Sequence, residues 1–354
     1  MGVDRVLLAE PRGFCAGVEM AIKALAWMVR VFEPPVYCYH EIVHNQLVVD
    51  RFRRLGVVFV DEVAEVPPGA PLMLSAHGSA PEVVEAARRG GGVVVNAVCP
   101  LVTKVHHEVK TRAGKGYTVL YVGHEGHEEA VGTMAEAPAA VRLVETEDDV
   151  EDLADPGTPV ALLAQTTLSH DEWSGVVDAA RRRFPDLWMP GRSDLCFATT
   201  NRQTALKAVA GTADAVVVIG SENSSNTVAL TKVARAAGCP RVYRVDGPDE
   251  VPDDLSGTVA VTAGASAPEE LVEAVIQRLA PRIPPERVAV IDEEEYFPPP
   301  RELRELVRAV VAAASLAVGA PPPPTTPAED RALSASQVLH ALDGPLVDGA
   351  TMGL

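Results

Sequence analysis

Three of the five cysteines stand in polar loops that follow β-branched runs of the sequence. Cys15 lies in PRGFCAGVEMA, Cys99 in AVCPLVTKVHHEV and Cys196 in DLCFATTNRQTAL, each just before or inside the first turn of a predicted helix. A thiolate at such a position is stabilised by the free N–H groups and the dipole of the helix. Three thiolates of this kind could bind a 4Fe-4S cluster and leave one iron open for a substrate.

The spacing of these cysteines leaves other interpretations open. A zinc site with three cysteines and a histidine usually contains a tight Cys-x-x-Cys pair, which this sequence lacks. The three thiols could also be unrelated buried side chains. For Cys38, in the strand-like VYCYH, and for Cys239, in AAGCP after a helix end, the sequence favours the role of a small buried hydrophobic residue.

Polar side chains that could bind an anion are concentrated in short motifs at the ends of predicted elements. The histidines occur in HEIVHN, SAHG, KVHHE and GHEGHEE, and hydroxyl and amide side chains occur in QTTLS, SENSSN and TAGAS. Together these motifs supply the imidazole, hydroxyl, amide and backbone donors that bind a diphosphate where few Lys or Arg are near. Each motif alone also has a structural explanation, because Ser, Asn and Gly cap helices.

A carboxylate stands beside two of these histidines. Glu129 of GHEGHEE, together with Thr166 of QTTLS, could pass a proton to a leaving hydroxyl, which is the general-acid role that C–O cleavage requires. The alternative is that Glu128 and Glu129 form a solvated pair in the first turn of a helix, favoured there by the helix dipole. The glycine-bearing motifs match neither G-x-G-x-x-G nor G-x-x-x-x-G-K-[ST], so neither nucleotide fingerprint applies.

Short β-branched runs alternate with helical patterns along the whole chain, which is typical of βαβ units and parallel sheets. Most of these runs lead directly into a polar loop and then a helix, the edge at which α/β sheets bind ligands. The sequence therefore predicts an α/β fold. The predicted strands are Val6 to Ala9, Leu72 to Ser75, Val93 to Ala97, Thr118 to Val122, Val160 to Ala164, Ala215 to Ile219 and Val259 to Thr262.

The similar spacing of the three cysteine loops predicts three comparable α/β units. They cover residues 1–99, with the N-terminal strand and the Cys15 loop, then 100–192 and 193–282. For residues 283–320 the sequence predicts an extended segment and a helix with an apolar stripe of Leu303, Leu306, Val307, Val310 and Val311. The PPPPTTP run makes 321–354 a Pro-rich tail that we expect to be mostly disordered, with one amphipathic stretch, Ala332 to Leu342, able to form a docking helix.

Composition argues against several classes of protein. Hydrophobic residues make up 47% of the 354, but the apolar runs are only strand-length, so no membrane span is expected. A net charge of -18 disfavours binding to nucleic acid or anionic lipid. The first residues do not form a secretory signal, and five widely spaced cysteines suit a reducing compartment. A cytoplasmic location is therefore expected.

Taken together and in order, these motifs resemble the 4-hydroxy-3-methylbut-2-enyl diphosphate reductase family, also called LytB or IspH. The motifs that carry the resemblance are PRGFCAGV, HEIVHN, SAHG, CPLVTKVH, GHEGHEE, QTTLS, CFATTNRQ, NSSN, TAGASAP and FPPPRELR. They cover about the first 300 residues, and their joint occurrence is very specific. Val98, Glu128 and Val131 depart from the family's commonest pattern beside the proposed site residues.

The resemblance implies a site as well as a fold. The fold would be a pseudo-threefold trefoil of α/β units around a 4Fe-4S cluster with one open iron and three ligands, Cys15, Cys99 and Cys196. Thr166 and Glu129 would act at the substrate hydroxyl. The diphosphate would be bound by His44, His77, His127, Ser224, Ser225, Asn226 and Ser266.

The resemblance also implies an activity and partners. The substrate would lose its hydroxyl reductively to give isopentenyl and dimethylallyl diphosphates, the last step of the non-mevalonate route. Electrons would come from ferredoxin or flavodoxin with an NADPH-linked reductase, with no role for nucleic acid or membrane. Two alternatives stay open at this point: a cluster reductase with a different allylic or aryl substrate, and a non-enzymatic redox sensor or ribosome-associated protein.

Overall fold

The computed structural model describes residues 2–319 and 330–342. Within them the twelve strands are β1 Val3–Glu10, β2 Val36–Tyr39, β3 Val57–Val60, β4 Leu72–Leu74, β5 Val94–Asn96, β6 Thr118–Val122, β7 Val141–Val144, β8 Val160–Ala164, β9 Ala215–Ile219, β10 Val242–Val245, β11 Gly257–Ala263 and β12 Glu286–Ala289. The α-helices of the same residues are α1 Ala16–Val31, α2 Gln46–Arg54, α3 Pro81–Arg89, α4 Pro100–Gly114, α5 Glu128–Met134, α6 Glu147–Asp152, α7 His170–Arg183, α8 Phe197–Ala210, α9 Ser225–Ala236, α10 Glu269–Leu279, α11 Arg301–Val318 and α12 Ala335–Leu342.

The strands form three parallel sheets, which confirms the predicted α/β fold class. Contacts divide the chain into two compact units. The first comprises Met1–Cys15, His77–Glu85 and Val98–Glu294, and the second comprises Ala16–Ala76, Ala86–Ala97 and the residues from Glu295 onwards. The predicted boundaries near residues 99, 192 and 282, and the threefold arrangement of the units, stay predictions.

The first unit contains two of the sheets, with strand orders β10-β9-β11-β1-β12 and β7-β6-β8. Every residue of β8 (VALLA) and of β9 (AVVVI) is buried. Continuous apolar runs are expected in parallel strands, because helices cover both faces of the sheet. The helices follow the carboxyl ends of the strands, so the intervening polar loops collect at the sheet edges.

The N-terminal strand β1 does not pair with the strands that follow it directly in the sequence. β1 pairs with β11, with Val6 opposite Val259, and with β12, with Leu8 opposite Arg287. It was predicted as part of a unit over residues 1–99, but it is a strand of the sheet that β9 and β11 build. Leu7 and Leu8 point to opposite faces and both are buried, which requires a position inside a covered sheet.

The second unit contains the sheet β3-β2-β4-β5 together with α1, α11 and α12. α12 packs on α1, and its Ala335, Leu339 and Leu342 are buried. The Ala335 N–H donates to Glu19 Oε2 at 2.9 Å. Residues 330–342 therefore differ from the disordered tail expected here, because the amphipathic stretch finds an apolar partner. The other residues of the predicted tail lie outside the described ones.

None of the helices in the described residues has the length and apolar character that crossing a membrane demands.

Candidate active site

The three candidate cysteines belong to the first unit, and each stands at the start of a helix. Cys99 is the N-cap of α4 and is followed by Pro100 at the first helical position, as the sequence predicts. Cys196 is the N-cap of α8, and its Sγ accepts a hydrogen bond from the Thr199 N–H at 3.2 Å. Cys15 directly precedes Ala16, where α1 begins. All three are partly buried free cysteines.

The three thiols interact electrostatically with one another. Burial raises the pKa of Cys99 far above its usual value, and ionised Cys15 and Cys196 raise it further. Burial, followed by the charge of Cys15, raises the pKa of Cys196 to about 12. Each thiol therefore lies within electrostatic range of the other two. Thiolates that repel one another in a buried space need a cationic partner, and a metal centre with thiolate ligands meets that need.

The remaining two cysteines are buried in apolar surroundings, as the sequence predicts. Cys38 is fully buried in β2 of the second unit. Cys239 is buried in the core under β9 in the first unit, and its Sγ–H donates to the Arg241 carbonyl at 3.4 Å. Neither is among the charges that raise the pKa of Cys99 or Cys196. Both therefore behave as small core residues.

Glu129 is a buried carboxylic acid in the first turn of α5, only 2% exposed. The Thr166 N–H donates to its Oε1 at 2.7 Å, and the Thr166 hydroxyl donates to its Oε2 at 3.0 Å. Burial raises the pKa of Glu129 to about 7, against the opposing effect of the two Thr166 hydrogen bonds. The alternative of a solvated glutamate is therefore wrong for Glu129. A carboxyl group with this pKa can hold a proton at neutral pH and release it.

His127 and His77 lie side by side in the first unit. His127 caps α5, and its Nδ1 accepts a hydrogen bond from the Glu129 N–H at 3.2 Å. An accepting Nδ1 places the proton of the neutral ring on Nε2, which can then donate to an anion. The His77 ring meets the His127 ring edge-on, with 6.3 Å between the centroids.

His44 belongs to the second unit, unlike the other candidate residues. It lies next to Asn45, the N-cap of α2, and its Nδ1 is 3.4 Å from Glu41 Oε2. Its contribution to the same site stays a prediction.

The hydroxyl and amide candidates meet at the carboxyl ends of β9 and β11, which are neighbouring strands. Ser224 caps α9 and accepts from the Thr227 N–H at 3.4 Å. The Ser266 hydroxyl donates to Ser224 Oγ at 3.5 Å, and the Ala265 N–H donates to Asn226 Oδ1 at 3.0 Å. These three candidate side chains are buried, so their geometry is fixed before any ligand arrives.

Hydrogen bonds connect these loops to the cysteine at the start of α8. Asn226 Nδ2 donates to Thr199 Oγ1 at 3.4 Å, and Thr199 Oγ1 lies 3.0 Å from Cys196 Sγ. Ser225 Oγ accepts from the Thr167 hydroxyl at 3.0 Å. The edges of the two sheets in the first unit therefore form one polar surface.

Two buried side chains in this surface are not among the residues singled out from the sequence. Gln165 is fully buried; its Oε1 accepts from the His124 N–H at 3.0 Å, and its Nε2 donates to Ser225 Oγ at 3.1 Å. Arg202 is also fully buried and donates to the carbonyl of Gly13. Gln165 lies in the motif QTTLS and Arg202 in CFATTNRQ. Their polar side chains, next to candidate residues, were the sequence signal that could have identified them.

Comparison with known sequences gives consistent matches. The family model described as LytB protein matches residues 6–280. A 4-hydroxy-3-methylbut-2-enyl diphosphate reductase of Rhodopirellula baltica is 50% identical over 279 residues, which cover 78% of this chain and 87% of that protein. One of the same name from Streptomyces avermitilis is 49% identical over 283 residues, covering 78% of this chain and 83% of that protein.

Solved structures agree with the sequence matches. The E-1-hydroxy-2-methyl-but-2-enyl-4-diphosphate reductase of Plasmodium falciparum is similar at a TM-score of 0.84 and 30% identity, over 87% of this chain and 99% of that one. An (E)-4-hydroxy-3-methyl-but-2-enyl diphosphate reductase, described as the terminal enzyme of the non-mevalonate pathway, has a TM-score of 0.57 and 32% identity, over 78% of this chain and 99% of that one.

Proposed function

Since this chain belongs to the LytB protein family, we propose that it reduces 4-hydroxy-3-methylbut-2-enyl diphosphate to isopentenyl and dimethylallyl diphosphates, the last step of the non-mevalonate route. The observation that carries this proposal is the buried Glu129 carboxyl group, hydrogen-bonded to Thr166 in the unit that also holds the three interacting thiols. A redox sensor has no need of such a buried proton donor.

The cofactor in this proposal is a 4Fe-4S cluster ligated by Cys15, Cys99 and Cys196, with one iron free of protein ligands. The electrostatic coupling of the three partly buried thiols supports it, because a cationic centre would offset the repulsion between their thiolates. When bound, such a cluster supplies electrons and an open coordination position. The helix N-termini at Cys99 and Cys196 stabilise the negative charge of the ligated thiolates.

The substrate's diphosphate would be bound mainly by neutral donors. The polar edge of the first unit offers hydroxyl, amide and imidazole groups already held in place by hydrogen bonds. Buried donors of this kind bind an anion without the cost of reorganising when it arrives. The residues assigned to this role are His44, His77, His127, Ser224, Ser225, Asn226 and Ser266.

Glu129 would supply the proton that lets the hydroxyl leave as water. The C–O bond breaks, the oxygen takes the proton of Glu129, and two electrons with a second proton go to the allylic group. Thr166 keeps the carboxyl group in place through both of its donors. Its N–H and hydroxyl also stabilise the carboxylate that remains after proton transfer.

We further propose that a ferredoxin or flavodoxin, itself reduced by an NADPH-linked reductase, delivers the electrons in the cytoplasm. The five free cysteines, two of them in the core, support a reducing compartment.

The proposal is tested with protein reconstituted anaerobically with iron and sulfide. Cys15→Ser, Cys99→Ser and Cys196→Ser should each lose the visible absorbance of the cluster, while Cys38→Ser and Cys239→Ser keep it. Cluster-loaded wild-type protein should consume the hydroxylated diphosphate when a dithionite-reduced dye supplies electrons. A loaded protein that consumes none would refute the reductase and favour a sensor.

A further inference from the structure

Arg202, on the second turn of α8, has the largest fully buried side chain among the described residues. Its Nε and Nη2 donate to the Gly13 carbonyl at 3.0 and 2.7 Å, and Nη2 also donates to the Phe14 carbonyl at 3.1 Å. Nη1 donates to the Ala198 carbonyl at 3.0 Å within α8. One guanidinium group therefore connects the two residues before Cys15 with the first turn of the helix that begins after Cys196.

Glu293 is the counterion of this arginine. Its Oε1 and Oε2 lie 3.0 and 3.1 Å from Arg202 Nη1, and Asn201 Nδ2 donates to its Oε2 at 3.0 Å. The glutamate comes from the acidic stretch after β12, so the pair joins three segments that are distant in sequence. All of these residues belong to the first unit.

The Cys15 loop is held on its other side by main-chain hydrogen bonds. The Gly13 N–H donates to the Ala263 carbonyl at 3.2 Å, and the Cys15 N–H donates to the Ala265 carbonyl at 3.2 Å. These bonds fix the loop to the end of β11. The side chain of Arg202 fixes the same loop to α8.

A buried ion pair is a poor way to gain stability, because desolvating two charges costs about as much as their attraction returns. A guanidinium does provide directional donors in a rigid plane, which fix the positions of several carbonyls at once. Its charge also lowers the pKa of Cys196, which shows that it lies near that thiol. The arrangement is therefore suited to holding the Cys15 loop and the start of α8 at a fixed separation.

We propose that Arg202, oriented by Glu293, is a positioning residue that fixes the Cys15 loop relative to the start of α8, so that the thiols of Cys15 and Cys196 stay at the separation one cluster requires. This inference rests on the proposed cluster. It assigns to Arg202 no contact with substrate or reacting atoms.

The test compares Arg202→Lys, which keeps the charge but loses the planar donors, with Arg112→Lys. Arg112 is a partly buried arginine near the other end of α4, with its guanidinium carbon 3.6 Å from the centre of the Trp188 ring. It lies about 20 Å along the helix from Cys99, given the rise per residue. Both variants and the wild type are loaded with cluster, and the release of iron to a ferrous chelator is timed well below each melting temperature.

Arg202→Lys should release iron at least about tenfold faster than Arg112→Lys, since one lost hydrogen bond to a charged donor is already a factor of about ten. The electron paramagnetic resonance spectrum of the reduced cluster should change in Arg202→Lys and match the wild type in Arg112→Lys. Glu293→Gln, which leaves the arginine in place, should show a smaller acceleration of iron release. This variant replaces Arg202→Lys in the comparison if Arg202→Lys does not fold.

Equal rates in the Arg202, Glu293 and Arg112 variants, with unchanged spectra, would overturn the positioning role while leaving the cluster itself established. A wild-type protein that takes up no cluster would overturn the cofactor proposal and this inference with it.

Discussion

The buried carboxyl group of Glu129 should make the stability of the metal-free protein depend on pH. Its pKa rises from 4.5 to about 7 in the folded chain. Between these values the folded chain binds a proton at Glu129 that the unfolded chain has released, so the contribution of Glu129 to stability falls as pH rises through this window and is level above it. The full shift corresponds to about 3 kcal/mol.

Glu129→Gln removes this dependence, because an amide does not ionise. The amide oxygen can accept from the Thr166 N–H, and the Thr166 hydroxyl can accept from the amide N–H, so the amide resembles the protonated glutamate of wild type. The two proteins should therefore have similar stability at low pH, where the wild-type carboxyl group is protonated. The stability of wild type relative to Glu129→Gln should fall by about 2–3 kcal/mol between about pH 5 and about pH 8, so that the variant is the more stable protein at the upper end.

Urea unfolding of the metal-free proteins, followed by the fluorescence of Trp173 and Trp188 in the same unit together with Trp27, measures this difference. Glu273→Gln, at an exposed position on α10, is the matched control and should run parallel to wild type. If the stability difference between wild type and Glu129→Gln is the same at both pH values, the reasoning that burial raises the Glu129 pKa is refuted.

Three further changes have defined outcomes. Thr166→Val removes one donor to Glu129, so the carboxyl pKa should rise further; the alkaline limb of the kcat profile should move to higher pH, and kcat should fall. Gly132→Ala should destabilise the protein by roughly 1–3 kcal/mol in thermal unfolding, because the new Cβ would lie 2.3 Å from the Gly78 carbonyl oxygen. Ending the chain at Gly319 strips α12 from α1 and should cost roughly 2–5 kcal/mol by urea titration.

The last two of these changes have a control in the same chain. Gly114→Ala, at the end of α4 where a Cβ meets nothing within 4 Å, should be neutral or stabilising. A chain ending at Leu342 keeps α12 and should unfold like wild type. Destabilisation by Gly114→Ala equal to that by Gly132→Ala would contradict the close contact between α5 and the loop after His77. Equal stability of the two shortened chains would contradict the docking of α12.

The strands that the sequence predicted best are those buried on both faces. β6, β8 and β9 have the bounds that their apolar runs gave. The missed strands, β3, β7, β10 and β12, all lie at sheet edges. They are short, and an arginine interrupts β7 (VRLV), β10 (VYRV) and β12 (ERVA). One exposed side lets an edge strand carry polar residues, which removes its apolar signal.

Local sequence patterns could not predict which distant strands pair with one another. The apolar run of β1 predicts a buried strand but says nothing of β11 and β12, its partners near the other end of the chain. The stripe predicted on α11 is also narrower than expected: Leu303 and Val307 are buried, while Val310 is 46% exposed. Burial depends on what covers a face, and that information lies elsewhere in the chain.

At the candidate site the motifs identified the loops but not the burial within them. GHEGHEE reads equally well as a solvated helix start, and only the fold shows Glu129 enclosed with Thr166 as its partner. Arg202 and Gln165 stand in the same motifs, yet their roles depend on carbonyls and hydroxyls brought in from other loops. Hydrogen bonds between distant loops are the part of a site that spacing does not encode.

The place of β1 in its sheet has a consequence for biosynthesis. The ribosome makes this strand long before its neighbours β11 and β12, and at ordinary elongation rates on the order of ten to fifty seconds separate Glu10 from Gly257. Throughout that interval a nascent apolar strand has no permanent neighbour and is a natural client for a chaperone. The Cys15 N–H bonds to the Ala265 carbonyl, so Cys15 can reach its final loop only after β11 has been made, and a cluster bound as proposed could form only after that point.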